Sequence, residues 1–180
     1  MNLLLGVTGG VAAKLVPKLV QTIVARIPGV ELRIIATPRS LYFFDRKAIS
    51  VPVMTDEYEW PKEIYQKGDP VPHIDLGEWA DKMLIAPLTA DTLSDMAHGK
   101  ADKFLTGTVL AWPLAKPLVL APAMNTRMWE NPITQRNLKI DKEIYRARII
   151  GPVAGNLACG TSGIGALAPI DEIVNSLLGD

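Results

Sequence analysis

The stretch "LVLAPAMNTRMWENP", Leu118 to Pro132, pairs an apolar run with an abrupt change of chemistry. The run stops at Pro122, Ala123, Met124 and Asn125, with Met128 and Trp129 close behind. A loop that only reversed the chain would favour Gly, Asp and Ser. Other apolar runs end in comparable clusters: "GVTGGVAAK" at 6–14, "TPRS" at 37–40 and "TADT" at 89–92. In the first, Gly9 and Gly10 permit close backbone approach, and the following helix start offers free N–H groups to an anion. The spacing is neither G-x-G-x-x-G nor a Walker loop, so a mononucleotide phosphate fits better than a dinucleotide. A plain strand–helix turn reads equally well. The hydroxyls and arginine of "TPRS" suit phosphate binding or helix capping, and "TADT" has the same double reading.

Three further side chains carry reactive groups. His73 precedes the third long apolar run, and its ordinary titration range suits proton transfer near neutrality. His98, in "MAHGKAD", reads as a surface or structural residue. Cys159 sits in "NLACGTSGIGALA", where glycines at 155, 160, 163 and 165 suggest a mobile flap rather than core packing. Two scattered histidines and one cysteine make a metal site unexpected. No Gly-x-Ser-x-Gly elbow and no paired-carboxylate signature is present.

The chain around these groups has 180 residues, 48% hydrophobic and 21% charged, which fits one globular domain spanning 1–180. Its 19 basic and 19 acidic residues cancel, which argues against a general electrostatic grip on nucleic acid or anionic membrane. The single cysteine rules out an internal disulfide framework and points to a reducing cytosol. No signal peptide or run of about 20 apolar residues is read, so a cytoplasmic protein without membrane attachment is expected.

Apolar strands at 2–7, "VELRIIATP", "DKMLIAP", "PLVLAP" and "ARIIGPV" alternate with helical patterns. A helix is expected from about residue 11 with Pro17 in its first turns, another region broken near Gly99, one over "ITQRNLKIDKEIY" and a terminal one over "APIDEIVNSLLGD". Residues 50–72 read as irregular. This alternation predicts a three-layer α/β/α, Rossmann/flavodoxin-like fold: a parallel sheet with helices on both faces. In such sheets ligands sit beyond the carboxyl ends of the strands, where the unusual clusters fall.

Together, "GVTGGVAA", "HIDLGEWAD", "IAPLTADTL", "APAMNTRMW" and "LACGTSGIGALA" resemble the FMN-dependent cysteine decarboxylases, in the family's order and over nearly the whole chain. The resemblance implies FMN held by Gly9, Gly10, Val11, Thr37, Ser40 and Phe43 around its phosphate end. Thr89, Ala90, Asp91 and Thr92 would line it further along, and Ala123 would approach the ring. His73 would act as base or acid, and Cys159 would donate a proton late in the cycle. Asn125 would bind substrate, with Met128, Asn156 and Ala158 beside it. A homotrimer, or a dodecamer of trimers, is implied with FMN at an interface; Trp129 suits that contact or the core.

The implied reaction accounts for these types. Loss of a hydride from the Cβ of a C-terminal cysteine to the flavin gives a thioaldehyde. CO2 then leaves with its electrons flowing into C=S, giving an enethiolate. An amide such as Asn125, both donor and acceptor, suits a substrate presenting carboxylate and amide together. Members serving coenzyme A biosynthesis convert 4'-phosphopantothenoylcysteine to 4'-phosphopantetheine by reducing the enethiol; this is the expected activity, and Cys159 favours it. Relatives acting on precursor peptides release the enethiol and do not need that cysteine. A third class is a non-catalytic regulatory flavoprotein, against which His73, Asn125 and Cys159 count. Two departures stand out: Asp91 replaces a frequent Asn, and Gly77-Glu78 replaces a frequent basic residue before "WAD".

Overall fold

Strand β1, Asn2–Val7, explains much of the architecture by itself: after its first residue every side chain is buried. Leu3, Leu5 and Val7 enter one hydrophobic cluster and Leu4 the other, as the two-residue period of a strand covered on both faces requires. The computed structural model describes residues 1–60, 62–158 and 160–179. The remaining long strands are β2 (Glu31–Ala36), β4 (Lys82–Leu88) and β5 (Leu118–Pro122). Two short strands, β3 (Val53–Met54) and β6 (Arg148–Ile149), close the edges. All pairings are parallel and the order is β3-β2-β1-β4-β5-β6. That is the doubly wound order, whose direction of progression reverses between β1 and β4.

Helices α1 (Val16–Arg26) and α8 (Ile170–Leu178) cover one face of the sheet, burying Leu19, Ile23, Ile173 and Leu177. Pro17 lies in the first turn of α1, where its missing N–H costs nothing. A 3-10 segment, Val11–Leu15, precedes it and occupies the start of the expected helix. The other face carries α3 (Pro72–Trp79), α4 (Ala90–Ala97), α5 (Phe104–Leu110) and α7 (Pro132–Ile144). The predicted α/β/α layering is therefore the one observed.

Two differences bear on the site. The segment read as irregular holds β3 and a single helical turn, α2 (Asp56–Glu59). The glycine-rich segment near the C-terminus forms an antiparallel hairpin, β7 (Val153–Asn156) and β8 (Ser162–Ala166). It sits against the turn α6 (Thr126–Trp129) that follows β5. No helix among the described residues is long and apolar enough to cross a membrane.

Candidate functional site

Beyond the carboxyl ends of β1, β2, β4 and β5 lies a cavity of roughly 1140 Å³, open to solvent on one side. Thr8 ties its floor together. This buried residue donates Oγ1–H to the Pro87 carbonyl at 2.7 Å and accepts the Thr89 N–H at 2.9 Å. Its own N–H also reaches Pro87 O at 3.2 Å. The ends of β1 and β4 are thus joined across the point where the strand order reverses.

The next two residues sit where a side chain would crowd its neighbours, Gly9 most tightly. A Cβ on Gly9 would lie 2.6 Å from the Arg39 Cβ, and one on Gly10 would lie 3.1 Å from the Thr89 Cγ2. The loops after β1 and β2 therefore approach closely, and Gly9, Gly10 and Val11 line the cavity. After β2, Thr37 is 9% exposed, lines the cavity, and has an Oγ1 buried without a hydrogen-bond partner among the described residues. After β4, Thr89 caps α4 and Thr89, Ala90, Asp91 and Thr92 form the opposite wall. After β5, Ala123, Met124, Asn125 and Met128 complete it. The Asn125 Oδ1 accepts the Arg127 N–H at 2.9 Å, so the amide plane is held.

The hairpin supplies the last wall with Asn156, Leu157 and Ala158. Two of its glycines allow close approach to the α6 turn. A Cβ on Gly165 would lie 2.1 Å from the Met124 carbonyl oxygen, and one on Gly163 would lie 2.4 Å from the Thr126 Oγ1. Gly165 also has φ +153 and accepts the Met124 N–H at 2.9 Å.

Of the residues singled out in the sequence, Ser40, Phe43 and His73 do not line this cavity. Ser40 is fully buried and donates Oγ–H to the Thr37 carbonyl at 2.7 Å, so it shapes the loop behind Thr37. Phe43 packs against the core and meets Tyr42 edge-on at 5.2 Å. His73 lies in the first turn of α3, with Nδ1 on the Glu59 carboxylate. Cys159 lies outside the described residues. His98 caps α4, its Nδ1 at 2.7 Å from the Ser94 carbonyl.

Charged side chains on the wall went largely unread in the sequence. Lys14, Arg39 and Lys103 line the cavity, as do Asp56 and Asp91. The Asp95 carboxylate, 2.6 Å from the Lys103 Nζ, pushes that ammonium up from its ordinary range. Lys14 and Arg39 have no carboxylate within 4.0 Å among the described residues. Arg39 carried a signal through its place in "TPRS" and Asp91 through "TADT"; Lys14, Asp56 and Lys103 were not singled out. No cluster of metal-binding side chains occurs among the described residues.

The set fits a flavin mononucleotide. Two glycines that any Cβ would crowd, an orphaned buried hydroxyl at Thr37 and two unpaired cations gather at one end of the cavity. Ala123, Met124, Ala166 and Leu167 provide apolar wall elsewhere.

Comparison with known proteins agrees. The family model described as Flavoprotein matches residues 1–180. The phosphopantothenoylcysteine decarboxylase of Mus musculus is 42% identical over 174 residues, which are 96% of this chain and 83% of the mouse protein. A solved PPC decarboxylase, a cysteine-to-serine variant complexed with pantothenoylaminoethenethiol, has TM-score 0.92 at 40% identity, covering 98% of this chain and 96% of that one. The FMN-dependent cysteine decarboxylase SpaF has TM-score 0.79 at 31% identity, covering 99% and 95%.

Proposed function

The chain belongs to the flavoprotein family, and from that premise we propose that it is an FMN-dependent carboxy-lyase converting 4'-phosphopantothenoylcysteine to 4'-phosphopantetheine. The carrying observation is the single cavity that joins Gly9, Gly10, Thr37 and Thr89 with Asn125 and Met128 across four strand ends. Bound FMN supplies a two-electron acceptor for the substrate's Cβ hydride and returns those electrons to the decarboxylated product.

The protein's part is to hold and orient. The Gly9 and Gly10 backbone, the Thr37 hydroxyl and the Arg39 guanidinium take the cofactor phosphate; a charged donor on phosphate makes the stronger kind of hydrogen bond. Asn125, its plane fixed by Arg127 N–H, donates its amide to the substrate carboxylate, and Met128 packs beside it. His73 Nε2 moves the thiol proton. Cys159 protonates the enethiolate carbon, and its chain neighbour Ala158 lines the cavity. The substrate must present a free thiol, which suits a reducing, cytosolic compartment.

His73 reaches the chemistry from a second copy of the chain. It is absent from the wall of its own cavity. In the segment that joins Glu59 to His73, Trp60, Ile64 and Tyr65 are 77%, 78% and 67% exposed, apolar surface that a neighbouring subunit would cover. A homotrimer, alone or grouped into a dodecamer, meets that need.

Mass spectrometry of products from phosphopantothenoylcysteine and from a peptide ending in cysteine tests the reading. Loss of about 44 Da from the first substrate is expected, CO2 alone, with electrons returned to product. Loss of about 46 Da, or turnover of the peptide only, would replace it with oxidative peptide decarboxylation.

A further inference from the structure

Glu59 is buried, 7% exposed, at the end of the single-turn helix α2. One of its carboxylate oxygens meets His73 Nδ1; the other, Oε2, is buried and has no hydrogen-bond partner among the described residues. His73 is its ion-pair partner, and a buried carboxylate needs one. We propose that Glu59 is the positioning residue for His73, holding the imidazole as the Nδ1–H tautomer with Nε2 turned toward the reacting substrate. This rests on the decarboxylase reading above and adds to it a residue fourteen positions upstream of the histidine.

The chemistry follows from the two groups. An ionised carboxylate only accepts hydrogen bonds, so the shared proton sits on Nδ1. In the neutral ring Nε2 then carries the lone pair, and it is the nitrogen able to take the thiol proton. When Nε2 is protonated, the adjacent carboxylate balances the ring's charge and keeps its orientation.

The surroundings hold both partners on one support. The Asp56 Oδ1 accepts the Phe104 N–H at 3.1 Å, which fastens α2 to the start of α5. Tyr58 stacks on Phe104 with ring centroids 5.9 Å apart. Helix α3, which carries His73, packs on the same α5. The side chain of His73 is 28% exposed, so the ring is held at one nitrogen and accessible at its outer edge. A surface ion pair would show neither the burial of Glu59 nor this shared anchorage.

The experiment combines ring-nitrogen NMR with kinetics on FMN-loaded enzyme, using wild type, Glu59→Gln and Glu59→Asp. At the alkaline end of the enzyme's stable pH range, wild-type His73 should show a protonated Nδ1 and a bare Nε2, while Glu59→Gln shows a mixture of tautomers. Glu59→Gln should lower kcat roughly ten-fold or more with KM and the flavin spectrum unchanged, and Glu59→Asp should recover part of the loss. Mixed tautomers in the wild type, or a Glu59→Gln enzyme with wild-type kcat, would overturn the proposal. If Glu59→Gln does not fold, the wild-type tautomer and the Glu59→Asp kinetics decide. A wild-type enzyme that releases no CO2 from phosphopantothenoylcysteine defeats the decarboxylase reading instead, and the ring nitrogens then judge the pair alone.

Discussion

Asp141 gives the sharpest test of the energetics. It lies in the last turn of α7 with 0% exposure, and neither carboxylate oxygen has a hydrogen-bond partner among the described residues. Burial pushes its carboxyl up to about 7 from an ordinary 3.8. Its charge in turn adds to burial in raising the Tyr145 phenol one turn later. Below about pH 4 the group is protonated in both folded and unfolded chains and costs nothing. Between about pH 4 and 7 the unfolded chain gives up the proton first, so stability falls as pH rises, and above 7 the full penalty stands. A shift of about three units at 1.36 kcal/mol each is on the order of 4 kcal/mol. Asp141→Asn keeps the shape and removes the ionisation. Urea unfolding at fixed protein concentration, at about pH 5 and about pH 8, should show the variant gaining about 2 to 3 kcal/mol on the wild type between the two conditions. Equal differences at both pH values would refute the argument, because an uncharged effect of the substitution carries no pH dependence.

Two substitutions probe the cavity. Arg39→Gln should weaken FMN binding about ten-fold while leaving riboflavin affinity unchanged, since the lost contact is to phosphate; flavin fluorescence titration reads both, and an equal loss for both ligands would remove Arg39 from the phosphate site. Gly165→Ala should place a methyl group 2.1 Å from the Met124 carbonyl and push the hairpin off the Asn125 turn. FMN should still bind, but CO2 release should fall by about an order of magnitude; full activity would mean that the hairpin's seat is not needed for turnover.

The sheet was legible because its strands are covered on both faces and so read as unbroken apolar runs: 2–7, 31–36, 82–88 and 118–122 each end where the residue chemistry changes. The site followed, because in this topology those ends converge, and the Gly9, Thr37, Thr89 and Asn125 clusters do meet in one cavity. Two-residue β3 and one-turn α2 left no period to find. Asp141 stayed hidden for a different reason. In "NLKIDKEIY" an aspartate between isoleucine and lysine reads as solvated surface, and only the packing of α7 on α4 puts it inside.

The glycines of the hairpin show why residue type alone misassigns a mechanical role. Gly163 and Gly165 read as looseness because glycine has no side chain to pack. That same lack lets another chain come within contact distance, and in this protein the approaching chain is the Met124–Thr126 turn. The turn holding Asn125 and the hairpin bearing Asn156 are thereby locked to each other by backbone contact, Met124 N–H to Gly165 O at 2.9 Å. The wall next to Asn125 is thus set by two absent Cβ atoms, and a positive φ of +153 at Gly165 leaves little choice of residue there. Glu59 makes the complementary point. Fourteen residues and a loop separate it from His73, so their meeting depends on both helices resting on α5, which local periodicity in either segment does not encode.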